Sequence, residues 1–311
     1  MIIGIDVGGT NARALLIDST SGDIVDRVAA SSAGDGETLT QTLVAQVHEL
    51  ELRNGIAADA VGLGIAGLID RTGVVRYSPN LPDIIEFPIG LELQGALRIP
   101  VAVGNDATTG AWAEAKLGAG RGTDDFVFVA LGTGIGTGIV ANGKLLTGAR
   151  GFAGESGHMT IDADGPLHIT GRPGPWEYFG SGNALGRLAR EAAARGAFQT
   201  GVDITGGSTA ISGIHVTNAL DDDDQAKAIF DAFCRQVAIG TANLIAILDP
   251  ERIVLGGGLA DIGEPLRAGV ESWLGDLVTG ADHRPQVEVA LAELGSDAGA
   301  LGAALMAAEL D

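Results

Sequence analysis

One Gly/Thr-rich turn occurs twice in this chain, each time between two apolar stretches. Residues 4–13 read Gly-Ile-Asp-Val-Gly-Gly-Thr-Asn-Ala-Arg, and residues 130–138 read Ala-Leu-Gly-Thr-Gly-Ile-Gly-Thr-Gly. The apolar stretches predict a strand that enters and a strand that leaves each turn. Glycine lets a backbone approach an anion closely, and exposed N–H groups with a threonine hydroxyl can hold phosphate oxygens. The repetition therefore predicts a duplicated fold with two phosphate-binding hairpins facing one cleft.

The first turn is preceded by a carboxylate, Asp6, within the predicted strand. A carboxylate beside a phosphate-binding turn is well placed for the metal ion that accompanies a polyphosphate. Two such hairpins and one acid together indicate a nucleotide site.

The composition is that of a globular α/β protein. The chain has 311 residues, enough for two domains of ordinary size, and 46% of them are apolar. The net charge of −21 argues against a nucleic acid or an anionic membrane as partner. Cys234 is the only cysteine, which excludes an internal disulfide and a cysteine zinc cluster.

Neither a signal peptide nor a membrane span is expected. The first predicted strand begins at Ile2, and no apolar run is judged long enough to cross a bilayer. We therefore expect a cytoplasmic protein.

Strands and helices alternate along both halves of the chain, which predicts an α/β fold with a mixed sheet in each of two lobes. The N-terminal lobe is expected over residues 1–119 and the C-terminal lobe over 120–311, with a hinge at 118–122. The closing helix is expected to pack back on the N-terminal lobe. The predicted elements are a three-stranded meander over 1–30, a strand–turn–strand–turn–strand unit over 126–146, helices over 38–53, 91–97, 107–116, 184–195, 225–248, 264–274 and 299–309, and strands over 60–69, 73–77, 101–103, 252–255 and 287–291.

Two glycine patterns match known phosphate-binding motifs but lack their context. Residues 62–67 fit the dinucleotide fingerprint, yet residues 68–77 indicate a continuing strand and turn where that fingerprint needs a helix. Residues 138–144 give Gly-x-x-x-x-Gly-Lys, but Leu145 stands where a phosphate loop needs Ser or Thr. The dipeptide at 142–143, Asn-Gly, instead predicts a hairpin turn.

Asn105 and Asp106 stand at the end of an apolar strand and the start of a helix. One interpretation is a helix N-cap, which stabilises by roughly 1 kcal/mol without any chemistry. The other is a functional carboxylate at the C-terminal edge of a sheet, where open α/β folds bind ligands. Both interpretations stay open at this point.

Three further polar side chains lie in segments with few core residues. Glu155 and His158 fall in a glycine-rich loop, and Glu177 follows Pro-Gly-Pro-Trp. Such groups can hold the hydroxyls of a neutral polyol, or they can form solvated loop surface. The triple glycine at 256–258 follows an apolar strand and either lets the backbone lie against a ligand or forms a crowded turn.

Taken together, these motifs resemble the ROK sugar kinases, a branch of the actin-like, ribonuclease-H-like ATPase superfamily. The resemblance runs nearly from end to end of the chain. Its most specific motifs are Asp-x-Gly-Gly-Thr at 6–10, Gly-Asn-Asp at 104–106, Gly-Glu-x-Gly-His at 154–158 and Gly-Gly-Gly at 256–258, all in family order. Each is weak alone, but four in order are a specific signal.

The resemblance implies a role for each matching residue. Asp106 is expected to act as the catalytic base. The sugar site is expected to contain Gly67, Asn80, Asn105, Asp106, Glu155, His158 and Glu177. Phosphate and cofactor contacts are expected at Asp6, Gly8, Gly9, Thr10, Asn11, Thr133 and Gly134, with Gly257 and Gly258 beside the adenosine.

One departure from the family is informative. Members usually carry a Cys-x-Cys-Gly-x-x-Gly-Cys zinc loop before the second glutamate, and here residues 168–175 read His-Ile-Thr-Gly-Arg-Pro-Gly-Pro. All three thiols are absent, and His158 with His168 provides too few ligands for a closed tetrahedral site. No structural zinc is therefore expected. We expect Pro173, Pro175 and the aromatic residues nearby to hold the loop instead.

The leading hypothesis is an ATP-dependent hexose kinase, and specifically a glucokinase that phosphorylates the 6-hydroxyl. Asp106 would accept the hydroxyl proton, and Asp6 would reach Mg²⁺ through water. Other hexoses or N-acetylhexosamines as acceptors (mannose, fructose, allose, N-acetylmannosamine) and polyphosphate as donor are alternatives.

Two other classes of protein are alternatives to the kinase. A sugar-responsive transcriptional repressor is disfavoured because no DNA-binding segment precedes Ile2, and an actin-like module without acceptor is disfavoured by the polyol-type residues. The partners expected are the hexose and ATP, without nucleic acid or membrane, and a homodimer is expected from the family.

Overall fold

Two five-stranded sheets with the same strand order form the framework of the protein. The structure is a computed structural model that describes residues 1–19 and 21–310. The first sheet has the order β3-β2-β1-β4-β7, with β1 Ile2–Val7, β2 Asn11–Ile17, β3 Ile24–Ser31, β4 Ala60–Ile65 and β7 Val101–Asn105. The second has the order β10-β9-β8-β11-β12, with β8 Phe126–Leu131, β9 Ile135–Ala141, β10 Lys144–Leu145, β11 Arg252–Gly256 and β12 Glu288–Leu291. The predicted duplication and the predicted mixed sheets are confirmed.

The first sheet is antiparallel on one side and parallel on the other. Strand β1 pairs antiparallel with β2 and parallel with β4, and β4 pairs parallel with β7. This arrangement places the end of β1, where the first Gly/Thr turn begins, at the same edge as the ends of β4 and β7. Asp6 and Asn105 therefore lie at one edge of the sheet.

Ten helices complete the described part of the fold. They are α1 Gly36–Asn54, α2 Ile89–Leu97, α3 Asp106–Leu117, α4 Trp176–Gly180, α5 Gly182–Ala194, α6 Gln199–Thr205, α7 Gly213–Thr217, α8 Asp224–Leu248, α9 Glu264–Leu277 and α10 Ala298–Ala308. The short helices α4, α6 and α7 have no counterpart in the sequence prediction, because segments of five to seven residues carry too few turns to show helical periodicity.

The strand predicted over residues 60–69 is wrong in its second half. Strand β4 ends at Ile65, and β5 Leu68–Ile69 pairs with β6 Val75–Tyr77 in a separate two-stranded sheet. Gly67 has φ of 128°, a conformation that side-chain-bearing residues rarely adopt, and it lets the chain leave the first sheet. As predicted, no helix follows this glycine pattern, and the turn at 142–143 is a hairpin with positive φ at both residues.

The chain forms two compact units, each assembled from more than one stretch. The first contains residues 1–128, 138–154 and 293–311, and the second contains residues 129–137 and 155–292. A lobe boundary between residues 119 and 120 stays a prediction. Within the first unit, α10 packs on α3, β1 and β4.

Helix α8 is long and apolar enough, by length and composition alone, to cross a membrane. The expectation that no apolar run has that length is therefore wrong as stated. Half of its most apolar window is buried inside the protein, and the core helix of a globular protein passes the same test. The helix is capped at its start, because the Asp223 carboxylate accepts hydrogen bonds from the N–H groups of Gln225 and Ala226.

A buried carboxylate joins α3 to the segment that leads into α10. Glu114 lies in α3 with no exposed surface. Its Oε2 accepts the N–H of Ala119 at 2.7 Å, and its Oε1 accepts the N–H groups of Glu293 at 3.1 Å and Leu294 at 2.9 Å. One side chain thus satisfies three backbone donors from two segments that are distant in sequence.

Glu114→Ala is expected to lower the free energy of unfolding by on the order of 3–5 kcal/mol, because it leaves buried N–H donors unpaired. Glu114→Gln should lower the free energy of unfolding by less, since the amide oxygen still accepts hydrogen bonds from backbone N–H groups. Urea unfolding measures both, with the exposed Glu92 in α2 changed to Ala as the control. An Ala variant as stable as the Glu92 control would contradict the role of Glu114.

Candidate active site

The first Gly/Thr turn is held from behind by a buried serine. The Gly8 N–H donates to the Asn11 carbonyl at 3.0 Å, which closes the turn between β1 and β2. Ser32 Oγ donates to the Gly8 carbonyl at 2.7 Å, and the Ser32 N–H donates to the Thr10 carbonyl at 3.2 Å. Gly9, Thr10 and Asn11 are exposed. The turn is therefore fixed while its outer face stays free for a ligand.

Asn80 lies against this turn. A methyl group on Gly9 would stand only 3.1 Å from the Asn80 carbonyl oxygen and 3.3 Å from the Asn80 Cβ. Glycine at this position therefore allows the turn and the Asn80 segment to approach each other. The assignment of Asn80 to a sugar site stays a prediction.

Asn105 serves both as a helix cap and as a connection to Gly67. Its Oδ1 accepts the N–H groups of Ala107 at 2.9 Å and Thr108 at 3.3 Å, so the N-cap interpretation is confirmed for this residue. Its Nδ2 donates to the Gly67 carbonyl at 3.0 Å. The Asn105 side chain also hydrogen-bonds Asp106, so one amide connects the start of α3, Gly67 and the neighbouring carboxylate.

Asp106 is the first residue of α3, and its surroundings disfavour the charged form. Its Oδ1 accepts the N–H of Ala107 at 2.9 Å, and Thr109 Oγ1 donates to its carbonyl at 2.8 Å. Burial raises the pKa of Asp106, although the hydrogen bonds from Ala107 and Asn105 oppose that rise. A carboxylate with a raised pKa is a stronger proton acceptor, which suits a general base.

Asp6 forms an acidic pair with Asp106. Burial raises the pKa of Asp6 to about 6, and the negative charge of Asp106 adds to the rise, while Arg13 opposes it. Behind Asp6 stands Gly299 of α10, where a methyl group would lie 2.7 Å from the Asp6 carboxylate. Two half-buried carboxylates that repel each other form a site that a divalent cation would stabilise.

Asp6→Asn is expected to stabilise the ligand-free protein near neutral pH. The Asp6 pKa rises from 3.8 to about 6 on folding, so the folded state binds more protons between these values and stability falls as pH increases. This loss of stability amounts to at most about 3 kcal/mol, and it is absent in the Asn variant because the amide does not ionise. Urea unfolding in the presence of chelator, at about pH 4 and about pH 8, measures the effect. The variant should have a higher free energy of unfolding than the original protein, and the difference should be larger at the higher pH. Equal stability of both proteins at both pH values would contradict this origin of the shift.

In the second unit, three glycine backbones meet around the second Gly/Thr turn. The Gly182 N–H, at the start of α5, donates to the Gly132 carbonyl at 2.7 Å. Gly257 has φ of 77°, and a methyl group there would stand 2.5 Å from the Leu131 carbonyl oxygen. Thr133 and Gly134 thus lie at the end of β8, between a helix N-terminus and the triple-glycine turn. Backbone N–H groups and the N-terminus of a helix favour an anion.

The triple-glycine turn borders a cavity of about 720 Å³. Gly258, Leu259, Leu185, Ile214 and Asn218 contribute to its walls. Apolar walls with a few polar groups suit a nucleoside. The sequence interpretation placed Gly257 and Gly258 beside an adenosine but did not identify the residues from α5 and α7, because neither helix carries a motif.

Glu155 and His158 lie on one short helical turn that is anchored to β9. Ser156 Oγ and Thr137 Oγ1 are 3.0 Å apart in a buried hydrogen bond, and this contact fixes the turn. The His158 Nε2 lies 3.7 Å from Glu155 Oε2, and both side chains are exposed enough to reach a ligand. Sequence analysis did not identify Ser156 and Thr137 as the residues that hold this turn.

Glu177 reaches the second Gly/Thr turn from α4. Its Oε2 accepts the Ile135 N–H at 2.9 Å, directly after Gly134. The preceding Trp176 is fully buried, and its Nε1 donates to the Gln236 carbonyl of α8 at 3.0 Å. The tryptophan therefore anchors the helix that carries Glu177.

The loop that lacks the family's thiols is a hydrogen-bonded hairpin. Isolated β-bridges join Thr160 to Pro175 and Leu167 to Pro173, so both predicted prolines are part of it. Tyr178 and Phe179 make an edge-to-face contact with ring centres 5.1 Å apart. Within residues 1–19 and 21–310, no group of three or more His, Cys, Asp or Glu side chains is arranged to hold a metal ion. The absence of zinc stays a prediction.

The predicted site residues thus form two groups, each described within its own unit. The first unit brings together Asp6, Asn105, Asp106 and Gly67, with the exposed turn and Asn80 nearby. The second brings together Thr133, Gly134, Glu177 and Gly257, with Glu155 and His158 on their own turn. The assigned roles of all these residues stay predictions.

Comparisons with known proteins agree with these observations. The ROK family model matches residues 2–309. The glucokinase of Streptomyces coelicolor is 33% identical over 320 residues, covering 100% of this chain and 98% of the relative. The N-acetylmannosamine kinase of Shigella flexneri is 33% identical over 309 residues and covers 98% of both chains. The crystal structure of a ROK family glucokinase from Streptomyces griseus, in complex with glucose and AMPPNP, gives a TM-score of 0.86 at 33% identity over 98% of both chains.

The duplicated sheets, each with one Gly/Thr turn, define a protein of the actin-like ATPase fold, as predicted. Within that class the chain belongs to the ROK family, and the predicted resemblance is confirmed.

Proposed function

We propose that this protein is an ATP-dependent hexose kinase that transfers the γ-phosphoryl group of ATP to the 6-hydroxyl of glucose. The observation that carries the proposal is Asp106, a carboxylate with a raised pKa at the start of α3, beside a second acid at the end of β1. Relatives that are named glucokinases and align over the whole chain support the choice of reaction.

Asp106 is proposed to accept the proton of the sugar hydroxyl as the hydroxyl oxygen attacks the γ-phosphorus. Its position at the N-terminus of a helix and the hydrogen bond from the Ala107 N–H to Oδ1 fix the orientation of the carboxylate. In phosphoryl transfer, positioning and electrostatics supply most of the acceleration, with the base adding to them.

Asp6 is the residue proposed to hold Mg²⁺, through bound water. The acidic pair fits a cation, because each carboxylate disfavours the charge of the other and a divalent ion relieves that repulsion. When bound, Mg²⁺ neutralises charge on the transferring phosphoryl group. The turn of Gly8, Gly9 and Thr10 is proposed to hold phosphate oxygens through the N–H groups of Gly9 and Thr10, because the Gly8 N–H is donated to the Asn11 carbonyl. The turn at Thr133 is proposed to bind phosphate in the same way.

The sugar hydroxyls are proposed to bind Gly67, Asn80, Asn105, Glu155, His158 and Glu177. The cavity beside Gly258 is the proposed adenosine site, and it favours ATP over polyphosphate as donor, since a polyphosphate has no nucleoside to fill it. N-acetylhexosamines are alternative acceptors, because the Shigella flexneri relative named an N-acetylmannosamine kinase is as similar to this chain, at 33% identity, as the glucokinase of Streptomyces coelicolor.

Two properties of the whole protein are part of the same proposal. We propose a cytoplasmic location, where ATP is available, and a homodimer in solution. Light scattering after size-exclusion chromatography tests the dimer, because the chain has a mass of 31.4 kDa and a dimer has twice that.

A panel of hexoses tests the reaction directly. ADP release with Mg-ATP should be strongly stimulated by glucose and weakly by mannose, fructose, allose or N-acetylmannosamine, with a no-sugar control for each. Stimulation by another sugar instead of glucose would replace the acceptor. No stimulation by any sugar, with ATP or polyphosphate, would contradict the kinase.

Asp106→Asn is expected to lower kcat by on the order of 10²–10⁴ while the sugar dissociation constant changes little. The amide keeps the hydrogen bond from the Ala107 N–H but cannot accept a proton. Asp106→Ala should behave alike in kcat. Asp35→Asn is the matched control, because Asp35 caps α1 and Asn caps a helix equally well. Near-normal turnover in Asp106→Asn would reject the assigned role.

A further inference from the structure

The tip of the thiol-free hairpin holds one histidine in a defined position. The His168 N–H donates to the Arg172 carbonyl at 2.9 Å, and the Gly171 N–H donates to the His168 carbonyl at 2.9 Å. At the base of the hairpin, the Gly174 N–H donates to the Pro166 carbonyl at 3.0 Å. The backbone of His168 is thus fixed on both sides by hydrogen bonds.

The side chain of His168 makes two polar contacts. Its Nε2 lies 3.4 Å from Glu177 Oε1, and its Nδ1 lies 3.2 Å from Thr170 Oγ1. The His168 and Glu177 side chains are mostly shielded from solvent, with 14% of the first and 20% of the second exposed. If the threonine hydroxyl donates to Nδ1, the proton of a neutral imidazole lies on Nε2 and faces the carboxylate.

Glu177 is therefore contacted on both of its oxygens. Oε1 faces the imidazole, and Oε2 accepts the N–H of Ile135. Gly134 makes this approach possible, since a side chain there would collide with the Glu177 carboxylate. Two contacts on opposite oxygens fix the plane of a carboxylate, and each oxygen retains capacity to accept one more hydrogen bond.

We propose that His168 is a positioning residue for sugar binding: it orients the Glu177 carboxylate so that the free capacity of both oxygens is directed at substrate hydroxyls. The proposal rests on the proposed function, because it assigns Glu177 to the sugar. It also assigns the task of fixing Glu177 to a hydrogen-bonded side chain of the hairpin rather than to a metal ion.

The same contacts couple the hairpin to the phosphate-binding turn. His168 at the hairpin tip contacts Glu177, and Glu177 accepts the N–H of Ile135, the residue after Gly134. A change at His168 is therefore transmitted to the Ile135 amide through one carboxylate. This coupling provides a measurement that does not depend on any substrate.

Three hairpin variants test the proposal in the whole chain. His168→Ala removes the contact, and His168→Gln retains an N–H donor of similar reach. Ile169→Ala is the matched control, because Ile169 lies next in the same hairpin and its side chain points to solvent with 89% of the residue exposed. Chemical unfolding of all three shows whether the hairpin change alters global stability.

The kinetic result expected is a rise in the KM for the accepted hexose of on the order of tenfold in His168→Ala. The KM for ATP should stay within about twofold, and His168→Gln should restore the sugar KM to within about threefold of the original protein. Ile169→Ala should match the original protein in both constants. A sugar KM that is unchanged in His168→Ala, or raised equally by all three variants, would overturn the proposal.

The structural result expected is a displaced Ile135 amide resonance in the ¹H–¹⁵N spectrum of sugar-free His168→Ala. Glu177→Gln should displace the same resonance, and Ile169→Ala should leave it in place. If no hexose is phosphorylated by the original protein, the proposed function fails while this spectrum still tests the contact. An unmoved Ile135 resonance in His168→Ala would overturn the positioning role in an otherwise active kinase.

Discussion

The close approach of α10 to the first sheet is the interaction on which the first unit depends. Gly4 in β1 and Gly62 in β4 lie so near the backbones of Ala300 and Ala303 that a methyl group on either strand would overlap the helix. The same approach brings Gly299 against the carboxylate of Asp6. The helix thereby shields one side of that acid, and burial is the main cause of its raised pKa. The acid strength of Asp6 is therefore a consequence of backbone packing.

Helix α3 connects this packing to the proposed chemistry. Its first residue is Asp106, and near its other end Glu114 accepts the backbone donors at the start of the segment leading to α10. Gly302 of α10 sits against the backbone of Thr109, where any side chain would collide. The helix that carries the proposed base is thus held to α10 along its length, and the two acids of the pair are fixed by the same two helices.

Much of this could be predicted from sequence, because the informative features are local. The Gly/Thr turns, the N-cap at Asn105 and the cap of α8 each depend on residues within four positions of one another. The links that Ser32 makes to Gly8 and Glu114 makes to Leu294 could not be predicted, since they join residues more than twenty positions apart and neither residue belongs to a motif. The rise in the Asp6 pKa was equally inaccessible, because it depends on burial by a helix nearly three hundred residues later in the chain.

The thiol-free hairpin shows how one structural task can be met by different chemistry. A metal cluster fixes a loop through a few strong bonds to side chains, and a loop without the thiol ligands needs other constraints. Here backbone hydrogen bonds and two prolines define the hairpin, and Trp176 anchors the following helix to α8. Prolines reduce the freedom of the unfolded loop, so the hydrogen bonds have less entropy to offset. The hairpin contacts Oε1 of Glu177 through a side chain, that of His168.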